Sequence, residues 1–588
     1  MREVARAGLS LILLACMVAA RAAQPAPEAA HFHPDSNPEA ATGYTPKPLV
    51  HAMHFMIATA NPLASEAGYR VLKQGGSAVD AVIAAQLVLA VVEPQSSGLG
   101  GGAFMMSYQA GTGDLQDYDS RETAPAAARE DRFLRDGKPM PFHDAVNNGR
   151  AVGTPGLLRG LELAHRDHGK LPWKTLFQPA IALCEQGFAV SPRLHGELVE
   201  ERGDLLKQPV AAHHFFDTQG HAWPVGYILK NPEMAAVLHR VADEGPDAFY
   251  RGEIARDIVA AVHAHPQPGD LSLADLANYK AVVRTPVCGR YRGYLLCGAP
   301  PPSSGPMTIL QILGELEQYP VGAMGPESLR FVHYFAEAGS LAYADREYYE
   351  ADPAYVHVPM QALLDPRYLR ARGALIRPDR SMGVAKPGDP AGLLLARGRD
   401  NSYEIPSTSH LVAVDREGDV VSMTTTVESA FGSKIMVDGF LLNNEMTDFS
   451  ASPRDAQSRL VVNRVEPGKR PRSAMSPMIV FRMGKPYLAV GSPGGSTIIN
   501  YVAKTLIAVL DWHMDIQQAI ALPNLGSRNH GVELERGTAL AKLEPGLRAM
   551  GHKVVEMDFP SGLQGIVIGP DGLTGGADPR REGVALGD

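Results

Sequence analysis

Residues 407–426 read STSHLVAVDREGDVVSMTTT, and the fold is decided here. Two β-like runs, 410–414 and 420–426, are separated by a turn of Asp, Glu and Gly. Upstream, residues 384–407 carry Pro387, Gly388, Pro390, Gly392, Gly398 and Pro406, the texture of a flexible, cuttable loop. Thr408 stands where that loop meets a core strand. The plainer reading makes it a strand-opening threonine, favoured by β-propensity. The sharper reading makes it a new N-terminus. A free α-amine on the same residue as a hydroxyl is a nucleophile with its own base attached.

Around this point the sequence alternates in texture. Residues 61–74 and 78–92 have helical spacing, the second opened by Ser77, apolar almost all round and therefore buried. Gly98-Leu99-Gly100-Gly101-Gly102-Ala103 superficially matches a dinucleotide fingerprint. It follows a helix and opens into a strand at 104–108, so it reads as a tight glycine turn with close backbone packing. A strand at 114–119 ends in Ser120-Arg121-Glu122. Helices are expected at 307–316, 331–349 and 497–510, and strands at 434–437, 440–443, 477–481 and 487–490. The chain is mostly helical before 400 and sheet-rich after it, which suits two sheets covered by helices.

The 588 residues alone suggest about three to five domains, although one interleaved fold can run as long. A net charge of -9, without a Lys/Arg block or aromatic-basic interleaving, excludes nucleic acid as a partner. Arg2 and Arg6, an apolar run over 9–20 and Ala20-Arg21-Ala22 read as a signal peptide over 1–23, hence a periplasmic or secreted protein. Leu13-Leu14-Ala15-Cys16 offers a second reading, a lipobox that would give a lipid anchor at Cys16. Residues 24–48 form a Pro-rich extended leader. No other run reaches the ~18 apolar residues of a membrane helix. Cys288 and Cys297 flank a Tyr-Arg-Gly-Tyr hairpin and could pair in an oxidising compartment. The preferred reading takes them, with Cys184, as small buried hydrophobes.

Several short signals carry chemistry. Gly494-Gly495, between a strand and a helix, presents backbone N–H groups suited to a developing oxyanion, or forms an ordinary turn. Arg121 suits bidentate capture of a carboxylate, or a surface ion pair with Glu122. Glu445 and Asp448, three apart after a strand, suit an ammonium, or form a solvated turn. No His-Glu-x-x-His, Cys/His zinc spacing or phosphate loop occurs, so neither metal nor cofactor is expected.

The joint order of these signals is more specific than any one of them. The runs GGSAVDAVIAAQLVLAVVEPQSSGLGGGAFMM (75–106), SRETAP (120–125), LAYADREYY (341–349), STSHLVAVDREGDVVSMTTT (407–426), FLLNNEMTDFS (440–450), PGKRPRSAMSP (467–477), GSPGGS (491–496) and ADPRR (577–581) are spread over most of the chain. Together they resemble the gamma-glutamyltranspeptidase family. That resemblance implies an α+β fold, the αββα sandwich of N-terminal-nucleophile hydrolases, made as a precursor that cuts itself between Ser407 and Thr408. A large subunit, 49–407, and a small one, 408–588, would remain as an interleaved heterodimer. It implies attack of Thr408 on the γ-glutamyl amide of glutathione-like compounds, with transfer to water or to an amino-acid or peptide acceptor. Thr426 would support the nucleophile, and Gly494 and Gly495 would form the oxyanion hole. Arg121 with Ser473 would hold the substrate α-carboxylate, and Glu445 with Asp448 its α-ammonium.

Two positions depart from the family pattern. Glu428 stands where many members have Asn, and Ala474 replaces the second serine of a Ser-Ser pair. The lost hydroxyl would cost roughly 1.5–3 kcal/mol of carboxylate binding, whereas an added acid favours an ammonium. No Tyr occurs between Phe449 and Ser473, where some relatives carry a Tyr-bearing lid, so a more open pocket is expected. The same fold would also serve a glutaryl/cephalosporin-type acylase or a poly-γ-glutamate-processing enzyme. A reading of another class is an uncleaved periplasmic protein that binds γ-glutamyl peptides.

Overall fold

In the computed structural model, residues 42–392, 397–402 and 407–588 are described. The signal peptide, Cys16 and the leader up to residue 41 lie outside them.

Alternation along one strand sets the layers. In Ser409–Val414 successive side chains point to opposite faces. Val412 and Val414 pack with Ile479, Ala489 and Ile566, which belong to a second sheet. Leu411 and Ala413 pack on the other side with Val82, Ala85 and Leu89 of the helix Ala78–Val92. One sheet runs, in spatial order, Val584–Gly587, Met56–Thr59, Ser409–Val414, Val420–Thr426, Gly102–Tyr108, Leu115–Asp119 and Val282–Arg284. The other runs Val50–Ala52, Gly572–Ala577, Gln564–Gly569, Lys485–Gly491, Met478–Arg482, Tyr294–Gly298 and Val287–Tyr291. Helices Gly305–Leu316, Leu329–Tyr349 and Ile498–Leu510 cover the outer face of this second sheet. The order of layers is therefore helix, sheet, sheet, helix, as expected. Strands from both ends of the chain enter both sheets, so one sandwich replaces the three to five domains that length alone suggests.

The helix Ala78–Val92 is buried along its whole length and opened by a capping box in which Ser77 and Asp80 satisfy each other's backbone N–H groups. The glycine run after it is a close backbone approach, as read from the sequence. A Cβ on Gly101 would lie 2.0 Å from the Thr426 carbonyl oxygen, and one on Gly100 2.2 Å from that of Leu441. The turn thus presses the strand Gly102–Tyr108 against Val420–Thr426, with which it pairs antiparallel.

The cysteine reading needs correction. Cys288 and Cys297 form a disulfide, and among the described residues Cys184 is the one buried thiol. The hairpin registers Cys288 directly opposite Cys297 with Cα atoms 4.2 Å apart, so both side chains share one face of the sheet. Cys288 is also exposed, which no buried hydrophobe would be. The strands expected at 434–437 and 440–443 shrink to a two-residue ladder, Met436–Val437 with Phe440–Leu441. The described end of the leader is tied down. Thr42 and Thr45 N–H groups donate to the carbonyls of Arg580 and Pro579, and Lys47 Nζ to that of Arg581.

Candidate active site

The start of the central strand forms the floor of a cleft. Thr408 lies one residue before Ser409–Val414, 4% exposed, with φ +122°, a conformation that L side chains rarely adopt. Such strain persists only where surrounding contacts hold it, and they can be named. The Ser407 carbonyl accepts from the Gly494 N–H at 3.4 Å, and the Ser407 hydroxyl donates to the Gln95 carbonyl. The Thr408 carbonyl accepts from Arg581 Nη1 at 3.2 Å. Thr408 Oγ1 donates to Thr426 Oγ1 at 3.2 Å, on the neighbouring strand, and Thr426 Oγ1 also accepts the Glu428 N–H at 2.8 Å.

Gly494 is shaped for this place. Its φ is +134°, and a Cβ there would lie 2.5 Å from a ring carbon of buried Tyr501. Only glycine sets that amide on the Ser407 carbonyl. The Gly494 carbonyl in turn accepts from the Thr497 hydroxyl and N–H, which locks the turn into the helix that follows. Gly495 lines the cleft beside it.

Across the cleft lies a buried ionic group. The Arg121 guanidinium is fully buried. It pairs through Nη1 with Glu445 Oε1 and through Nη2 with Asp448 Oδ2 at 2.5 Å. It also donates to the Pro471 and Arg472 carbonyls. Ser473 and Ala474 line the same wall. The Ser473 backbone is fixed by the Pro302 carbonyl and by Ser304, and its Oγ accepts the Met475 N–H. Glu428, with φ +82°, accepts from Ser429 Oγ at 2.5 Å and from Asn444 Nδ2. Burial, followed by the neighbouring Asp448 charge, pushes Glu428 up to about 8. Burial likewise pushes Glu122, behind Arg121, up to about 8. The cluster therefore sets the Arg121 guanidinium against Glu445 and Asp448, with Glu428 and Glu122 pushed toward their neutral forms beside it.

Thr408, Thr426, Glu428, Glu445, Asp448, Arg121, Ser473, Ala474 and Gly495 thus line one cleft, and Gly494 reaches it through Ser407. None of residues 450–472 lines it. Glu445 and Asp448, expected to receive an ammonium, both pair with the Arg121 guanidinium. Their shared burial favours this, since the guanidinium is the counter-charge of both carboxylates.

The family model described as Gamma-glutamyltranspeptidase matches residues 64–588. The chain belongs to the gamma-glutamyltranspeptidase family. It is similar to the glutathione hydrolase proenzyme of Bacillus subtilis, 39% identical over 90% of this chain and 91% of that one. It is 36% identical to the glutathione hydrolase proenzyme of Escherichia coli over 98% and 97%. Among solved structures, a cephalosporin acylase from Bacillus halodurans superposes with TM-score 0.81 at 26% identity, over 95% of this chain and 99% of that one.

Within this gamma-glutamyltranspeptidase chain two participants escaped sequence reasoning. Arg581, in the ADPRR run, reaches back to the carbonyl of Thr408, and Gln95, in the run after the first glycine pair, receives Ser407. Their motifs were visible, but the contacts span 173 and 312 residues. Among the described residues one group has metal-ligand geometry, His333, Glu337 and His552, and none of the three lines the cleft.

Proposed function

We propose that this chain is a self-processing γ-glutamyl hydrolase and transferase that acts on glutathione-like compounds. The observation that carries the reading is the Ser407–Thr408 peptide itself, strained at Thr408 and with its carbonyl on the Gly494 N–H. Thr408 Oγ1 attacks the Ser407 carbonyl carbon, and the developing oxyanion is held by Gly494. Collapse breaks the C–N bond, passes the acyl group to the hydroxyl and relieves the strain. Water then hydrolyses the ester, leaving a large chain that ends at Ser407 and a small chain, 408–588.

The freed α-amine, with an ordinary pKa of about 7.7–8.0, acts as base for the same hydroxyl. Thr408 then attacks a γ-glutamyl amide, whose carbonyl occupies the place vacated by Ser407. The substrate α-carboxylate takes Arg121, and its α-ammonium takes Glu445 and Asp448. A zwitterion so placed replaces the Arg121–Glu445 and Arg121–Asp448 pairs by its carboxylate on Arg121 and its ammonium on the two acids. This favours a γ-glutamyl over a glutaryl group, which brings no ammonium and forgoes a charge-assisted contact of roughly 1.5–3 kcal/mol. An acylase acting on glutaryl compounds remains the second reading, supported by Ala474 in the carboxylate wall and by the likeness to the cephalosporin acylase.

Two measurements test the proposal. Purified protein should run as two bands in place of one at 63.0 kDa, with Thr as the N-terminal residue of the smaller. Thr408→Ala should stay whole. A variant that still splits would sink the assignment, and a wild type that stays whole would favour the uncleaved binding protein. In a paired substrate panel the γ-glutamyl anilide should turn over faster than the glutaryl anilide. The reverse order would make the chain an acylase.

A further inference from the structure

Far along the chain from the nucleophile, three ligand-type side chains converge. His333 and Glu337 lie one turn apart on the helix Leu329–Tyr349 and project from one face. His552 follows the turn after the helix Glu544–Ala549. All three are buried, His552 the most accessible at 8%. His333 Nε2 donates to the Arg377 carbonyl at 2.6 Å, which leaves Nδ1 bare in the neutral ring. That nitrogen faces His552 Nε2 at 2.7 Å, and His552 Nδ1 lies 3.7 Å from Glu337 Oε1.

The Glu337 carboxylate accepts from Ser381 Oγ and the Met382 N–H, both at 2.9 Å. Among the described residues no Lys or Arg pairs with it, and His552 is the titratable side chain beside it. The site also has the outer partners that ligands of a bound metal use: a carbonyl fixing the tautomer of one histidine, and a hydroxyl and an amide fixing the carboxylate.

We propose that His333, Glu337 and His552 bind a zinc-class divalent cation that bridges the segments on either side of Ser407–Thr408. The three ligand atoms already lie within 4.8 Å of one another. Two nitrogens on a tetrahedral zinc stand roughly 3.3 Å apart, so the rings must open by about half an ångström. No proton is released. The His552 proton moves from Nε2 to Nδ1, which frees the Nε2 lone pair, and water completes the coordination. In the proposed processed form the ion would tie the large chain, through His333 and Glu337, to the small chain, through His552. Only this bridging role rests on the processing reading. Binding itself is measured on Thr408→Ala as well as on wild type.

The test is a Co2+ titration of chelator-treated wild type. The expected result is saturable visible ligand-field bands at one equivalent, displaced by Zn2+, together with a Zn2+-dependent rise in melting temperature. Both are lost in His552→Gln and weakened in Glu337→Gln. Wild type without bands overturns the site whatever the variants do. Bands that persist in both variants overturn it too, since they would come from surface histidines. If Thr408→Ala binds Co2+ but does not split, the site stands and the bridge is confined to the cut protein.

Discussion

Replacing Gly494 by alanine should stop the chain from cutting itself while leaving it folded. Gly494 has φ +134° and ψ +21°, and its new Cβ would lie 2.5 Å from Tyr501 Cε2 and 3.2 Å from Thr497 Oγ1. Tyr501 is 1% exposed and packs edge-on against Phe559, so it cannot swing clear. The strained backbone alone costs about 1–3 kcal/mol. The turn relieves the overlap by moving away from the Ser407 carbonyl, whose contact with the Gly494 N–H is already long at 3.4 Å. Loss of one such oxyanion donor slows acyl chemistry by about 100- to 1000-fold, or roughly 2.7–4 kcal/mol. The assay follows loss of the 63.0 kDa precursor band after synthesis is stopped, beside a melting curve of the same sample. The expected outcome is precursor that persists at least a hundredfold longer and still melts cooperatively. Maturation at the wild-type rate by folded Gly494→Ala would refute the placement of the oxyanion hole.

Other outcomes follow from the charged wall. Glu428, Glu122 and Glu350 are each pushed up to about 8 by burial. A carboxyl raised in the fold binds its proton while the unfolded chain has released it. Stability is therefore full below about pH 4.5 and falls as pH rises toward 8, at about 1.4 kcal/mol per unit for each group. Glu428→Gln should make that slope shallower in the melting temperature measured against pH. Arg121→Lys keeps the charge but loses the fork geometry, and should raise KM for γ-glutamyl substrate about 10- to 100-fold. Ala474→Ser restores a hydroxyl to the carboxylate wall. It should lower that KM by about tenfold, and a KM that stays put would place position 474 outside the carboxylate subsite.

Strong local patterns made part of this protein legible from its sequence. The β-like runs at 410–414 and 420–426 mark two central strands, and the all-apolar helix at 78–92 is opened by Ser77. The weak strands were invisible for an equally local reason. Gly572–Ala577 reads GLTGGA and Met56–Thr59 has four residues, so neither offers a period to count, and both depend on neighbours to become strands. The types of the cleft residues were readable, but their pairing was not. Arg121 and Glu445 are 324 residues apart, and only the fold shows that the acids spend their charge on each other's guanidinium partner. The Cys288–Cys297 bond falls between: the hairpin was visible, the register was not.

The placement of Ser409–Val414 between Met56–Thr59 and Val420–Thr426 has a consequence for the life of the molecule. A cut at its head would leave two polypeptides that both contribute strands to each sheet, so neither could leave without dismantling the core. Folding happens once, as a single chain. After the cut, unfolding yields two separate strangers whose reunion depends on concentration, and the order of the reaction rises from one to two. The mature protein would then persist because escape is slow, not because return is easy. Its useful lifetime would be written in an unfolding rate, and heating it past that point should be a one-way journey.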